Sequence, residues 1–373
     1  MEKELISGKQ LRNLISVYLL GAALVTSGSV YAHHGAWISE ISAFIIAIPI
    51  ILMYARLGSI HRDKDIYDLF YDSLGRFVGI TFSIIFLIYS IYLGAGVLRN
   101  FTEFVQVIFF PETPQYVTAI FAGLAILYNL KKGIEVLGRA LSSIAFLLLA
   151  MTLITILFSI KDMDYSNIYP LFAAKPMDLV KETYFLLTLP YLETVMFLGI
   201  NSNIKSSDSL YKAYLFGIIT GGVFLLLTFF RNLFVLGTYV MESMYFPAYT
   251  AISLINIADF ITRIEVIAAA NYTFAVTLQT AICILTACKG LTKLTKTNSY
   301  KPFATPIVLL TIYLSKALFR STMDLFDVIK KYRFPILLVQ TIIPFITYIA
   351  TEIRYRKSKG QLKAATKTGA MVK

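Results

Sequence analysis

Charge is scarce in this sequence. Asp, Glu, Lys and Arg make up 15% of its 373 residues, whereas a soluble domain carries about 25%. A chain so short of polar side chains cannot cover a water-exposed globule, which excludes an ordinary soluble enzyme. Cysteine is nearly missing too. Cys283 and Cys288 are the only two, near one end of a single apolar block, and they give neither a metal spacing nor a disulfide framework. Both read as inert buried thiols. His33 and His34 are adjacent, so their side chains diverge on a helix, and no third ligand lies nearby in sequence. No metal and no cofactor is expected. A phosphate loop, a nucleophile elbow and a zinc signature are also missing.

What the chain has instead is apolar sequence, 57% of it. The apolar residues fall in blocks of roughly 18 or more, the length needed to cross a hydrocarbon core of about 30 Å. The blocks are continuous rather than striped, as for helices buried on all sides in protein or lipid. Barrel strands would alternate with period two, and these do not. The expected architecture is an all-α membrane protein of about ten transmembrane helices. Its spans are read near 11–31, 37–57, 77–110, 114–130, 137–160, 182–201, 211–238, 262–288, 303–320 and 334–352. The third is long enough to tilt, and the stretch from Pro247 to Phe260 suggests a short surface helix. Met1–Asn13 leads straight into a full-length span, so no cleaved signal peptide is expected.

The formal net charge is +12, but nucleic acid is not the expected partner. The excess sits in short loops between apolar blocks and in the last twenty or so residues, as topology signals and lipid-facing tails do. With the N-terminus inside, 23 of the 34 Lys and Arg fall on the inner side and seven on the outer. Both termini are therefore expected in the cytoplasm. The domain reading is one membrane domain, 1–353, followed by a basic tail, 354–373.

Two spans carry helix-breaking residues. The first holds Thr26, Ser27, Gly28 and Ser29, whose side chains compete with the helix ladder. The sixth holds Pro190, Tyr191, Leu192 and Glu193; Pro190 removes one backbone hydrogen bond and clashes with the preceding turn. One break opening each set of five spans is the pattern of a five-plus-five inverted repeat, with ligand held between the breaks. Ordinary kinks would leave the same residues. Glu193 sharpens the first reading, because an acid near mid-membrane is costly unless paired, hydrated or protonated. Three roles fit it: binding a substrate amine, carrying a coupling proton, or locking the sixth span to a neighbour. Tyr92, with Tyr89, and Asn271, with Tyr272, are polar handles suited to the wall of an amphipathic pocket. Arg99 and Glu103 stand four apart on one helix face and can pair, as structure more than as a gate. Arg263 and Glu265 are two apart and need other partners, or a place at the interface.

Motifs in order along the chain add a resemblance. They are Gln10, Trp37, Leu74-Gly75-Arg76-Phe77-Val78-Gly79, Arg99 with Glu103, Thr113-Pro114, and Gly133-Ile134-Glu135-Val136-Leu137-Gly138-Arg139. Asp164-Tyr165-Ser166-Asn167-Ile168-Tyr169-Pro170, Glu193, Pro247, and Ile255-Asn256-Ile257 through Arg263 and Glu265 follow. In these the chain resembles the B subunit of the spore germinant receptors, a branch of the amino acid–polyamine–organocation permease superfamily. It departs from that family in placing Gly28 where a proline is common and in having little glycine before Glu193. The resemblance implies a ten-helix fold like the bacterial leucine transporter, in the inner membrane of an endospore. It implies a small nutrient ligand, an amino acid, sugar or nucleoside, and A-type and C-type receptor subunits as partners. A proton-coupled amino-acid transporter is the rival reading, and a subunit with a vestigial pocket is a third.

Overall fold

The structure, a computed structural model, describes residues 4–23, 30–255, 264–331 and 333–369. Thr26, Ser27, Gly28, Ser29 and Arg263 lie outside the described residues. Among the described residues the fold is helical, with a single bridged pair of β type between Ile6 and Ile204. The helices are α1 (Gly8–Ala22), α2 (Ala36–Ile60), α3 (Ile66–Leu74), α4 (Arg76–Ile108), α5 (Gln115–Lys132), α6 (Ile134–Ser159) and α7 (Pro176–Thr188). A 3₁₀ helix, Tyr191–Asn203, follows α7. Then come α8 (Leu210–Ser243), α9 (Pro247–Ser253), α10 (Glu265–Thr295), α11 (Lys301–Ala317), α12 (Thr322–Lys331) and α13 (Arg333–Leu337). A π turn, Leu338–Ile342, joins α13 to α14 (Ile343–Gly369).

Seven stretches among the described residues are long and apolar enough to cross a membrane: His33–Ile60, Arg76–Ile108, Ile134–Asp162, Pro176–Asn203, Leu210–Ser243, Glu265–Thr295 and Pro335–Lys359. Three of the ten expected spans miss that measure for simple reasons. α1 has 15 residues, α11 has 17, and α5 has 18 with Lys131 and Lys132 in its last turn. α4, with 33 residues, is roughly 50 Å long at 1.5 Å per residue and must tilt or project. Burial sorts centre from rim. The α7–3₁₀ run and α10 are each 83% buried along their apolar stretch, against 28% for α6 and 33% for α2. The first two are apolar on every side because protein surrounds them; the second two because lipid does.

Local sequence explains the ends. Ser7 and Gln10 form a reciprocal cap at the start of α1, and Asp65 with Asp68 does the same for α3. Gly75 (φ 82) and Gly133 (φ 96) turn the chain between α3 and α4 and between α5 and α6. Only glycine adopts such angles without strain, which gives a physical reason for both glycines in their motifs. Inside α8, Gly237 (φ 70, ψ 164) breaks the ladder. The Phe234 carbonyl it frees accepts from the Asp164 amide at 2.9 Å and from Asn167 Nδ2 at 3.0 Å. The Asp164–Pro170 motif is thus the packing partner of a kink.

Candidate functional site

α7 stops where Pro190 cannot donate to it. Leu189 leaves helical geometry (φ −134, ψ 89) and the chain resumes as the 3₁₀ helix from Tyr191. Glu193 lies in the first turn of that helix, 3% exposed. Among the described residues no cation or hydrogen-bond donor contacts its carboxylate; Tyr18, Tyr89 and Cys283 lie within electrostatic range.

Beside the break is a small cavity of about 40 Å³, room for a few water molecules. Glu193, Thr188 and Leu189 form one wall, Tyr89, Tyr92 and Asn100 of α4 another, and Gln340 closes a third. Tyr89 and Tyr92 stack with ring centroids 6.5 Å apart. Gln340 sits in the π turn. Its Nε2 donates to the Tyr89 hydroxyl at 2.7 Å and to the Thr188 carbonyl, at the end of α7, at 2.9 Å. Its Oε1, like Asn100 Oδ1, is buried with no partner among the described residues. The cavity thus presents a carboxylate and two open amide oxygens. That set of acceptors suits a ligand rich in donors, such as an ammonium group.

The residues around the break divide between cavity and scaffold. Tyr92 and Glu193 line the cavity. Tyr191 faces α2, where its hydroxyl donates to the buried Glu40 at 3.1 Å and its ring lies 6.0 Å from that of Phe44. Leu192 is fully buried in the core, and Pro190 caps the 3₁₀ helix. Asn271 of α10 lies against α6, donating to the Leu148 carbonyl and to Thr152 Oγ1, each at 3.1 Å; it lines a different cavity. Arg99 and Glu103 pair at 3.3 Å and are both buried. Arg99 also donates to Gln115 and to the Arg320 carbonyl, while the Thr322 amide donates to Glu103 at 2.6 Å. The pair ties α4 to the start of α12. Glu265 opens α10, half-buried. His33 meets Glu242 at 2.8 Å and His34 meets Thr238 at 3.2 Å. Among the described residues no cluster of His, Cys, Asp or Glu could hold a metal. Cys283 and Cys288 are buried free thiols.

Glu182, Glu40, Gln340 and Arg231 were not singled out from sequence. Each was visible there as a polar residue inside an apolar block, but nothing showed its partner. Glu182 accepts three consecutive amides, Val30, Tyr31 and Ala32, at 2.9, 2.5 and 3.2 Å. It pins α7 to the chain entering α2.

The opposite face is latched. Ile6 exchanges backbone hydrogen bonds with Asn203 and Lys205, and Asp208 accepts the Gly8 amide at 2.6 Å. Lys289 donates to Ser202 and Asn203, and Asn201 donates to the Gly58 and Lys64 carbonyls. Glu4 accepts from Lys301, Tyr300 and the Ile134 amide at 2.9, 2.8 and 3.0 Å. Partial burial alone would raise the Glu4 pKa, but these donors outweigh it and hold the carboxyl below its usual range. The N-terminal segment, the end of the 3₁₀ helix and the turns beside α3 and α6 thus close as one layer.

The family model described as spore germination protein matches residues 5–324. Spore germination protein KB of Bacillus subtilis (strain 168) is 25% identical over 371 residues, covering 97% of this chain and 99% of that protein. Among solved structures, Mhp1, a nucleobase-cation-symport-1 family transporter in a closed conformation with bromovinylhydantoin bound, aligns with TM-score 0.63 at 11% identity. That alignment covers 87% of this chain and 74% of Mhp1. MhsT in complex with L-phenylalanine aligns with TM-score 0.60 at 13% identity, covering 94% of this chain and 89% of MhsT. These likenesses establish a transporter-type helical fold, and the match to residues 5–324 establishes that this chain belongs to the spore germination protein family.

Proposed function

We propose that the protein is the membrane subunit of a nutrient germinant receptor, not an enzyme. It binds a small amine-bearing nutrient, amino-acid-like, and so triggers spore germination. The observation that carries this reading is Glu193: a buried carboxyl group with no described partner, at a helix break, in a cavity that also holds two amide oxygens unpartnered among the described residues. A nutrient ammonium would supply the missing charge, between Pro190–Glu193 and the segment Thr26–Ser29. Tyr89 and Tyr92 would cover its apolar part.

The rest of the proposal follows from membership of the family and from the transporter-type fold. The chain forms ten spans in a five-plus-five inverted repeat, with spans 1 and 6 broken, in the inner membrane of the endospore and with both termini cytoplasmic. The latched face is then the cytoplasmic one. Ligand bound more tightly by one of two conformations shifts their populations, and A-type and C-type subunits read that shift. A second reading, proton-coupled amino-acid transport, draws on the same Glu193 and on the likeness to transporters. Reconstitution into liposomes separates the two: a sensor binds labelled nutrient without accumulating it under a proton gradient, whereas a transporter accumulates it.

A further inference from the structure

Arg231 of α8 is 2% exposed, and among the described residues no acid pairs with it. Its Nε donates to Asn232 Oδ1 at 2.8 Å and its Nη2 to the Ala248 carbonyl at 3.3 Å. Those two neutral contacts fix the plane of the guanidinium and leave Nη1 buried with no acceptor among the described residues. Thr228, one turn earlier and so on the same helix face, is 3% exposed, and among the described residues its Oγ1 is likewise without a partner.

Both residues line a second, small cavity of about 40 Å³, walled by α1, α6, α8, α9 and α10. It shares no lining residue with the Glu193 cavity. A lone cation this deep in a membrane protein is costly unless something compensates it. Here two unused donors and one full positive charge border the same space. Asn271 has spent its donors on Leu148 and Thr152, while its Oδ1, in a residue lining the same cavity, has no partner among the described residues; the anion must therefore seat on the Arg231 and Thr228 side.

We propose that Arg231 and Thr228 form a second ligand site, which takes a small monovalent anion: a halide or a carboxylate. The guanidinium edge and the hydroxyl donate to it, and its charge neutralises Arg231. Bound there, the anion ties α8 to the short helix α9, whose Ala248 carbonyl already holds the other side of the guanidinium. This proposal does not depend on the role given to Glu193.

The test is a thermal-shift titration of the purified full chain at fixed ionic strength, replacing sulfate with chloride or with formate. The parent should be stabilised saturably by at least one of the two, since a ligand bound only to the folded state raises Tm. Stabilisation by chloride alone assigns a halide site, and stabilisation by formate alone assigns a carboxylate site. Arg231→Gln should abolish the effect. Thr228→Val should raise the half-saturating concentration about tenfold, the loss of one charge-assisted hydrogen bond. Should Arg231→Gln fail to fold, Thr228→Val decides. The proposal is overturned if chloride, formate and sulfate are equivalent for the parent, or if Thr228→Val titrates like the parent.

Discussion

Gln340 Nε2 reaches the Tyr89 hydroxyl at 2.7 Å, and so joins the π turn before α14 to α4 across the Glu193 cavity. The same amide holds the Thr188 carbonyl, where α7 ends. One side chain therefore fixes three walls of the candidate site. Gln340→Leu removes both hydrogen bonds and leaves the Thr188 carbonyl without that donor. A loss of about 1–3 kcal/mol in stability is expected, together with weaker nutrient binding, measured by thermal shift with and without a nutrient panel. Tyr89→Phe leaves the Thr188 contact in place and should cost less, about 1 kcal/mol.

Tyr191 and Glu40 give a contrasting case. Tyr191→Phe takes away the hydroxyl that donates to the buried Glu40 while leaving the ring contact with Phe44. An unsatisfied buried acceptor costs about 1–3 kcal/mol, so Tm should fall. Because that hydroxyl faces α2 and not the cavity, the nutrient-induced shift in Tm should survive.

The latched face carries a pH dependence. Glu4 titrates below its ordinary value of 4.5 in the folded protein. A carboxyl lowered in this way contributes stability above its unfolded pKa and loses it as pH falls through the folded one. Glu4→Gln should therefore be less stable than the parent at neutral pH. The gap between their melting temperatures should close as pH falls below that ordinary value and through the lowered one. A gap that stays constant down to acid pH would contradict the contacts assigned to Glu4.

The turn glycines differ in what surrounds them. Gly75 has open space where a Cβ would go, whereas a Cβ on Gly133 would run into the Glu4 carboxylate. Both have positive φ with extended ψ, so alanine at either position is strained by about 1–3 kcal/mol. Gly133→Ala should lose more than Gly75→Ala, because it also displaces the carboxylate that holds Lys301 and Tyr300. Comparing the two melting temperatures checks this.

Sequence revealed what is local. Pro190 marked the end of α7, because the missing donor acts within one turn. Arg99 and Glu103 could be paired from their spacing, because four residues make one helical turn. The apolar blocks announced α2, α4, α6, α8 and α10, because lipid or protein on every side demands unbroken hydrophobicity. What stayed hidden depends on contacts between distant segments. Gln340 meets Tyr89 across 251 positions, and Glu182 meets Tyr31 across 151. Asn271 reads as a pocket residue by type, yet α6 takes its amide. Arg231 reads as a charge inside an apolar block, and only the packing of α9 and α10 around α8 gives it a cavity of its own.

The central claim is that Glu193 receives the nutrient's positive charge. The most direct measurement is the nutrient-induced rise in Tm of purified parent and Glu193→Gln protein, over a panel of amino acids and small amines and across pH. The expected result is that the variant folds, melts without nutrient at least as high as the parent because no unpaired ionisable group is left to bury, and shows no shift with the nutrient that stabilises the parent. If Glu193→Gln responds to that nutrient like the parent at every pH tested, Glu193 does not hold the ligand.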